Sequence, residues 1–434
     1  MVAHGWAYGT IPANPVGVAD IQTAIGPIEP RERLLVIDVL RGVAILGILI
    51  VNMDSYAWPM ALPRLGWAES TGLADRLAGF FIRLMAEGKF YPLFSFLFGF
   101  GLAMQMTRAE AKGAPFARLY RRRLLVLLGI GLAHAVLLWY GDILVTYAAL
   151  GFLLLAFRHR RPKTLLIWAA VCWLLPVVMT GLLFLAMRGA MPPAAADLLQ
   201  RIAMAGSADD ATAVARSIEI YGHGTFTQIV AQRVRDLEAL YQIGLFSFPT
   251  IFAMFLLGVW AGRRGIFSDP AGSRPLFKKI ALWGLVIGGI GNLGSVLARD
   301  LSGGGLWADF IGEAAHALTA PVLMLGYVAT IALLMTAPSW RRLTPLAAVG
   351  RMALTNYLFH SLICTTIFYS YGLGLYGRIG LVQGLGLAAV IYTAQVVWSG
   401  WWMRRFPYGP VEWVWRATTY GRHLGRPLEG RVDG

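Results

Sequence analysis

Charge is scarce in this sequence. Only 14% of its 434 residues are Asp, Glu, Lys or Arg, against 57% hydrophobic, a balance too poor to wet the surface of a water-soluble globule of this size. Lipid must be the solvent for much of the chain. Acidic residues are the scarcer sign, 23 against 38 Lys and Arg. The resulting net charge of +15 could suggest nucleic acid, but the basic residues stand in short clusters between apolar runs, as membrane topology demands. Membrane lipids, not nucleic acid, are the implied partners. Cysteine is nearly absent. Cys172 and Cys364 each sit inside an apolar run without ligand spacing, so they read as packing residues. There is no Walker A sequence, no HExxH and no Rossmann fingerprint after a strand, and the Gly99 and Gly101 pair reads as close helix packing. No metal or permanently bound cofactor is implied. The first 30 residues lack any apolar stretch long enough to insert and carry Pro12, Pro15, Pro27 and Pro30; residues 1–30 read as a disordered cytoplasmic tail, not a signal peptide.

What the chain has is a series of long apolar segments. A hydrocarbon core of about 30 Å takes about 20 residues of helix. Segments meeting that need fall near 34–54, 90–106, 123–140, 142–157, 164–187, 243–262, 277–297, 314–337, 347–371 and 379–402. Alternate connections are basic: Arg108 to Arg123, Arg158 to Lys163, Arg263 to Lys279, Arg341 to Arg351, and Arg404 with Arg405. Those connections are expected in the cytoplasm. The opposite set is poor in Lys and Arg, the turn at Gly141 and Asp142 having none. The predicted fold is all-α, a polytopic bundle of about ten transmembrane helices across residues 31–405, both termini cytoplasmic. Residues 406–434 are expected to form a cytoplasmic amphipathic segment.

Two outer connections carry amphipathic material. Residues 73–87 place Leu73, Leu77, Phe80, Phe81 and Leu84 at helical spacing beside Asp75, Arg76 and Arg83, a pattern that lies in the interface. Residues 189–241 are expected to fold as two or three short helices capping the bundle, either as a lid over a site or as packing.

Ionisable groups inside a span cost about 2.5–3.5 kcal/mol each on insertion scales, so each one asks for a reason. Asp38 and Arg41 lie i, i+3 on the first span and can pair; a structural ion pair and a phosphate-binding Arg41 are both open. Asn52 follows eleven residues later, near the outer surface. His134 in the third span and Asp142 at the next turn are eight residues apart, about two helical turns, and could contribute to one outward-facing cavity; a packing histidine and a helix-capping aspartate are the plainer alternative. The ninth span carries Thr355, Asn356, Tyr357, His360 and Ser361. Its Asn356 and His360 share a face and could glue helices, line a passage or position an acyl acceptor. Glu313 and His316 form a further i, i+3 acid/base pair near the interface.

The runs IDVLRGVAILGILIVN at 37–52, FYPLFSFLFGFG at 90–101, LAHAVLLWYGDILVTYAALG at 132–151, GRMALTNYL at 350–358 and FPYGPVEWVWRATTYG at 406–421 together resemble the bacterial YeiB-like family, domain of unknown function 418. That family is in turn similar to the transmembrane acyltransferase superfamily, which includes the lysosomal heparan-glucosaminide acetyltransferase. The link is an Arg followed after ten residues by His or Asn, here Arg41 and Asn52. The resemblance implies acyl transfer across a bacterial inner membrane, from cytoplasmic acyl-CoA as co-substrate to an extracytoplasmic glycan or lipid acceptor. It assigns Arg41, oriented by Asp38, to the cofactor phosphates. In the heparan enzyme a His shortly after the motif Asn is essential. Residues 53–72 here contain none, so His134, near Asp142, or His360 would act as base, with Asn52 or Asn356 donating to the carbonyl. A transporter of a small molecule or lipid intermediate is the rival reading; inverted repeats of broken helices would favour it.

Overall fold

The computed structural model describes residues 34–59, 72–111, 113, 116–204, 211–244, 246–301, 305–337 and 342–420. The tail expected at 1–30 and the last residues of the C-terminal segment lie outside these. Among the described residues the secondary structure is helical, with no strand.

The helices are α1 (Leu35–Ala57), α2 (Leu73–Met85), α3 (Phe90–Ala111), α4 (Phe116–Leu137), α5 (Leu144–Leu155), α6 (Pro162–Met187), α7 (Pro193–Met204), α8 (Ala211–His223), α9 (Phe226–Gly244), α10 (Phe248–Arg263), α11 (Arg274–Leu301) and α12 (Leu306–Leu334), followed by α13 (Thr344–Arg351), α14 (Ala353–Phe368), α15 (Leu381–Arg405) and α16 (Pro410–Tyr420). Among the described residues, six segments are long and apolar enough to cross a membrane: α1, the near-continuous α2–α3, α6, α11, α12 and α15. Shorter apolar helices α5, α10 and α14 stand beside them. Outward faces are apolar as well: Ile290 on α11 is 68% exposed and Val397 on α15 is 69% exposed, which only lipid would tolerate on this scale. The protein is a multi-pass helical membrane protein.

Helix α1 runs through the interior, with Val39, Leu40, Ala44, Ile45, Leu49 and Tyr56 fully buried or nearly so. Small residues bring neighbouring backbones into contact: a Cβ on Gly350 of α13 would collide with the Asp38 carbonyl of α1, and one on Gly42 with the Leu346 carbonyl. Gly99 of α3 faces the Phe255 carbonyl of α10 in the same way, the close approach that lets helices pack tightly in lipid.

The ninth predicted span, 347–371, is two helices instead of one. The chain breaks at Met352 (φ −109°, ψ 29°) between α13 and α14. Glu412 of α16 caps the buried start of α14. Its Oε1 accepts from the N–H groups of Leu354 (2.7 Å) and Thr355 (3.0 Å), and its Oε2 accepts the Thr355 hydroxyl. A carboxylate at a helix N-terminus satisfies orphan donors and complements the dipole. Burial nevertheless pushes the Glu412 carboxyl up from its usual range, against the downward pull of those bonds. Trp415 completes the clasp, stacking under the Arg123 guanidinium (3.7 Å) and donating to the Arg123 carbonyl (3.0 Å).

Residues between α6 and α10 form the three helices α7, α8 and α9, with α8 and α9 in mutual contact and α9 packed on α4. Helix α2 shows Leu73, Leu77 and Phe81 outward. Its Asp75 accepts from the Val382 N–H at the start of α15 (2.8 Å), and Arg83 pairs with Asp300 of α11 (2.6 Å).

Candidate functional site

Three distant parts of the chain meet at His134. The residue lies in the last turn of α4, eleven positions beyond Arg123, about 16 Å along the axis. Helix α4 ends at Leu137, and the chain turns through Gly141 before α5 starts. That turn brings Asp142 back against the histidine: Nδ1 and Oδ1 are 2.7 Å apart, with side-chain exposures of 1% and 0%. The other carboxylate oxygen accepts from the Val145 N–H in the first turn of α5 (2.7 Å), so one aspartate caps a helix and orients an imidazole.

On the opposite ring edge, Nε2 lies 2.7 Å from Oγ of Ser361 on α14. Ser361 Oγ in turn is 2.8 Å from the Tyr56 hydroxyl on α1. Donors and acceptors assign the protons. Both Asp142 oxygens accept, so Nδ1 carries a hydrogen, and in the neutral ring Nε2 then presents a lone pair. Ser361 then donates to Nε2, and Tyr56 donates to Ser361. The result is a directed chain, Tyr56 to Ser361 to His134 to Asp142, in which every member is buried. Aromatic rings wall it: Tyr357 with its centroid 5.2 Å from the imidazole, and Trp139, tilted against Tyr56 with centroids 4.1 Å apart. Tyr357 also donates to the Gly141 carbonyl (3.2 Å), bracing the turn that holds Asp142.

The network lies toward the end of the bundle away from the arginine clusters. Tyr56 is fifteen residues past Arg41 on α1, about 22 Å. Helix α9 covers this end. Its Arg233, fully buried, donates to the Leu137 carbonyl at the close of α4 (2.6 Å) and to the Tyr371 hydroxyl (3.0 Å), a cation on a helix C-terminus. Beside it Asp236 accepts from Tyr221 and Gln232, and burial raises its carboxyl above the usual range.

The remaining candidates stand elsewhere. His360, although adjacent to Ser361 in sequence, turns to α15: its Nε2 donates to Gln395 Oε1 (2.7 Å), and Gln395 donates to the Asn356 carbonyl (3.1 Å). The Asn356 amide donates to the Val349 carbonyl (3.2 Å) and to Ser399 (3.0 Å). These groups join α14 to α13 and α15 as interhelical hydrogen bonds. Asn52 is half-buried one turn before Tyr56 on α1 and outside the His134 chain. Asp38 and Arg41 pair at 3.0 Å at the basic end, where the Arg41 side chain keeps 31% exposure. Sequence reasoning selects neither Ser361 nor Tyr56 for this site. Ser361 belongs to a visible polar run, but nothing local tells which helix a side chain meets across 227 positions.

A buried histidine between a carboxylate and a hydroxyl, set among lipid-facing helices, defines a polytopic membrane protein with general-base chemistry available inside the bundle. Residues 261–422 match the model of a family described as protein of unknown function (DUF418). Along its length the chain is 39% identical to the "Uncharacterized protein YxaH" of Bacillus subtilis (strain 168), covering 92% of this chain and 97% of the relative. It is 30% identical to the "Uncharacterized protein YeiB" of Escherichia coli (strain K12), covering 89% and 96% respectively. A third relative, the "Uncharacterized 39.9 kDa protein in amylase 3'region" of Bacillus acidopullulyticus, is 30% identical over 94% of this chain and 99% of its own. The chain belongs to the YeiB-like DUF418 family.

Proposed function

We propose that this protein is an acyltransferase of the bacterial cytoplasmic membrane, moving an acyl group from cytoplasmic acyl-CoA to a hydroxyl or amine of an envelope glycan or lipid outside. The observation that carries the reading is the His134–Asp142 pair, buried and joined at 2.7 Å with Nε2 facing a hydroxyl. Acyl transfer needs a base whose free nitrogen meets the attacking O–H. It also needs a partner that stabilises the imidazolium formed. Asp142, fixed by the Val145 N–H, is that partner. General-base assistance of this kind is worth about 10²–10⁴ in rate.

The basic loops orient the protein, in this reading, with Arg41 at the cytoplasmic side. Arg41 meets the CoA phosphates there, held by Asp38. Asn52, half-buried on the same helix between Arg41 and Tyr56, offers its amide to the thioester carbonyl. The helices α7–α9 then stand outside, above the base.

The test is transfer in oriented proteoliposomes with radiolabelled acetyl-CoA confined to the basic face and an envelope extract on the other. Acetyl label covalently bound in the extract, with CoA thiol left behind, is the expected result. Intact label crossing without a covalent product would replace the enzyme by a transporter.

A further inference from the structure

Ser361 stands in a position that base catalysis alone does not require. Hydroxyls on helices in lipid commonly satisfy themselves on the carbonyl one turn back, and Ser95, Thr107, Thr180, Thr319, Thr330 and Thr393 each do so here, at 2.7–3.1 Å, whereas Ser295 and Thr355 bond across to other helices. Neither of the hydrogen bonds of Ser361 goes to its own helix. One joins His134 Nε2 on α4 and the other Tyr56 on α1. Giving up the local acceptor places its proton on the lone pair of an Asp-oriented imidazole, in the geometry that activates a serine.

We infer that Ser361 is the nucleophile of the reaction, carrying the acyl group as an ester between donor and acceptor. This rests on the acyltransferase reading and adds a covalent intermediate to it. In the first half-reaction the Ser361 O–H proton passes to His134 Nε2, a bond forms between Oγ and the thioester carbonyl carbon, and the carbon–sulfur bond breaks. The leaving thiolate takes the proton from His134 and departs as the thiol. In the second half, an acceptor hydroxyl gives its proton to His134, its oxygen bonds the acyl carbon, and the bond to Oγ breaks. Ser361 recovers its proton from His134. Atoms and charge balance without any further reactant. Tyr56 donates to Oγ throughout and stabilises the negative charge that develops there. Its ring lies against Trp139.

The intermediate also suits the topology. An acyl-serine lets the CoA thiol leave before the acceptor binds, so the donor from one side and the acceptor from the other never have to occupy the buried centre together.

The experiment incubates detergent-purified full-length protein with acetyl-CoA or with p-nitrophenyl acetate, quenches in acid and maps acetylation by peptide mass spectrometry. The second probe supplies an activated acetyl group without any CoA site. Acetyl on Ser361 is expected in the wild type. It should be absent from Ser361→Ala and His134→Gln, and present in Ser361→Cys as a thioester cleaved by neutral hydroxylamine. Ser361→Ala should lower turnover by about 10³-fold or more. The Cys variant keeps a nucleophile in place should the Ala variant fold poorly. A wild type unlabelled by both probes overturns the inference. So does a Ser361→Ala variant that keeps most of its turnover; if His134→Gln loses it in the same assay, the acyltransferase reading stands with direct transfer. Turnover untouched by either substitution removes both.

Discussion

Replacing Asp142 by Asn exchanges one oxygen for an NH₂ group, and the surroundings dictate where that group goes. In the native structure one carboxylate oxygen accepts from His134 Nδ1 and the other from the Val145 N–H. If the amide nitrogen faced Val145, two donors would confront each other in a buried site, costing about 1–3 kcal/mol. The amide therefore turns its oxygen to Val145 and its nitrogen to His134. Nδ1 must then be the acceptor, the ring hydrogen moves to Nε2, and His134 can no longer take a proton from Ser361. A histidine held in the wrong tautomer by this substitution in a Ser-His-Asp site loses about 10⁴-fold in rate, about 5.4 kcal/mol of barrier at 1.36 kcal/mol per tenfold. Helix α5 keeps its cap, so the fold should persist. The assay is release of CoA thiol from acetyl-CoA by purified variants, beside a thermal melt. A loss of about 10³–10⁴-fold with a melting temperature near the wild type is expected. Activity within tenfold of the wild type would refute the proton assignment, and with it the role of Asp142.

Arg41→Ala should weaken acetyl-CoA binding about 10- to 100-fold, the worth of a charge-assisted hydrogen bond, while Asp38→Ala weakens it much less; equal losses with equal falls in protein abundance would leave the pair a structural one. Gly350→Ala should destabilise the protein by about 1–3 kcal/mol or more, because its methyl group meets the Asp38 carbonyl, and an unchanged melt would contradict the tight α1–α13 contact. Glu412 has a folded-state pKa raised by burial, so its ionisation opposes folding. Stability from this site is full below the ordinary carboxylate range and declines as pH rises through the raised value. Melts of Glu412→Gln across that window should be flatter than those of the wild type, and parallel curves would refute the assignment. Tags at residues 2 and 434 should report cytoplasm and a tag near residue 205 the outside; labelling of the last only after lysis would invert the orientation.

Much of the helical architecture is legible in the amino-acid sequence. Apolar run lengths set the helices, because lipid imposes length and hydropathy on each one separately. The eight-residue spacing of His134 and Asp142 puts them on similar faces but about 12 Å apart along a helix; the structure brings them into contact by another route, because α4 stops at Leu137 and a turn folds Asp142 back. His360 and Ser361 differ by one position, about 100° around a helix axis. That angle decides which of them meets His134 and which meets Gln395. No periodicity resolves it, since α14 is buried on several sides and its polar residues point to different neighbours. The break at Met352 is equally hidden from local sequence, because the side chain that satisfies the new helix start, Glu412, comes some 60 positions later in the chain.

The most direct test compares two histidines of one protein. His134→Gln and His360→Gln each keep a hydrogen-bonding side chain and remove the ability to take up a proton. Vesicles reconstituted with each variant and with envelope lipid and glycan, supplied with acetyl-CoA, are assayed for acetyl transfer and for acetyl-CoA binding. His134→Gln should abolish transfer while binding persists, and His360→Gln should retain most of it. Near-normal transfer by His134→Gln, or loss confined to His360→Gln, would show that His134 is not the base.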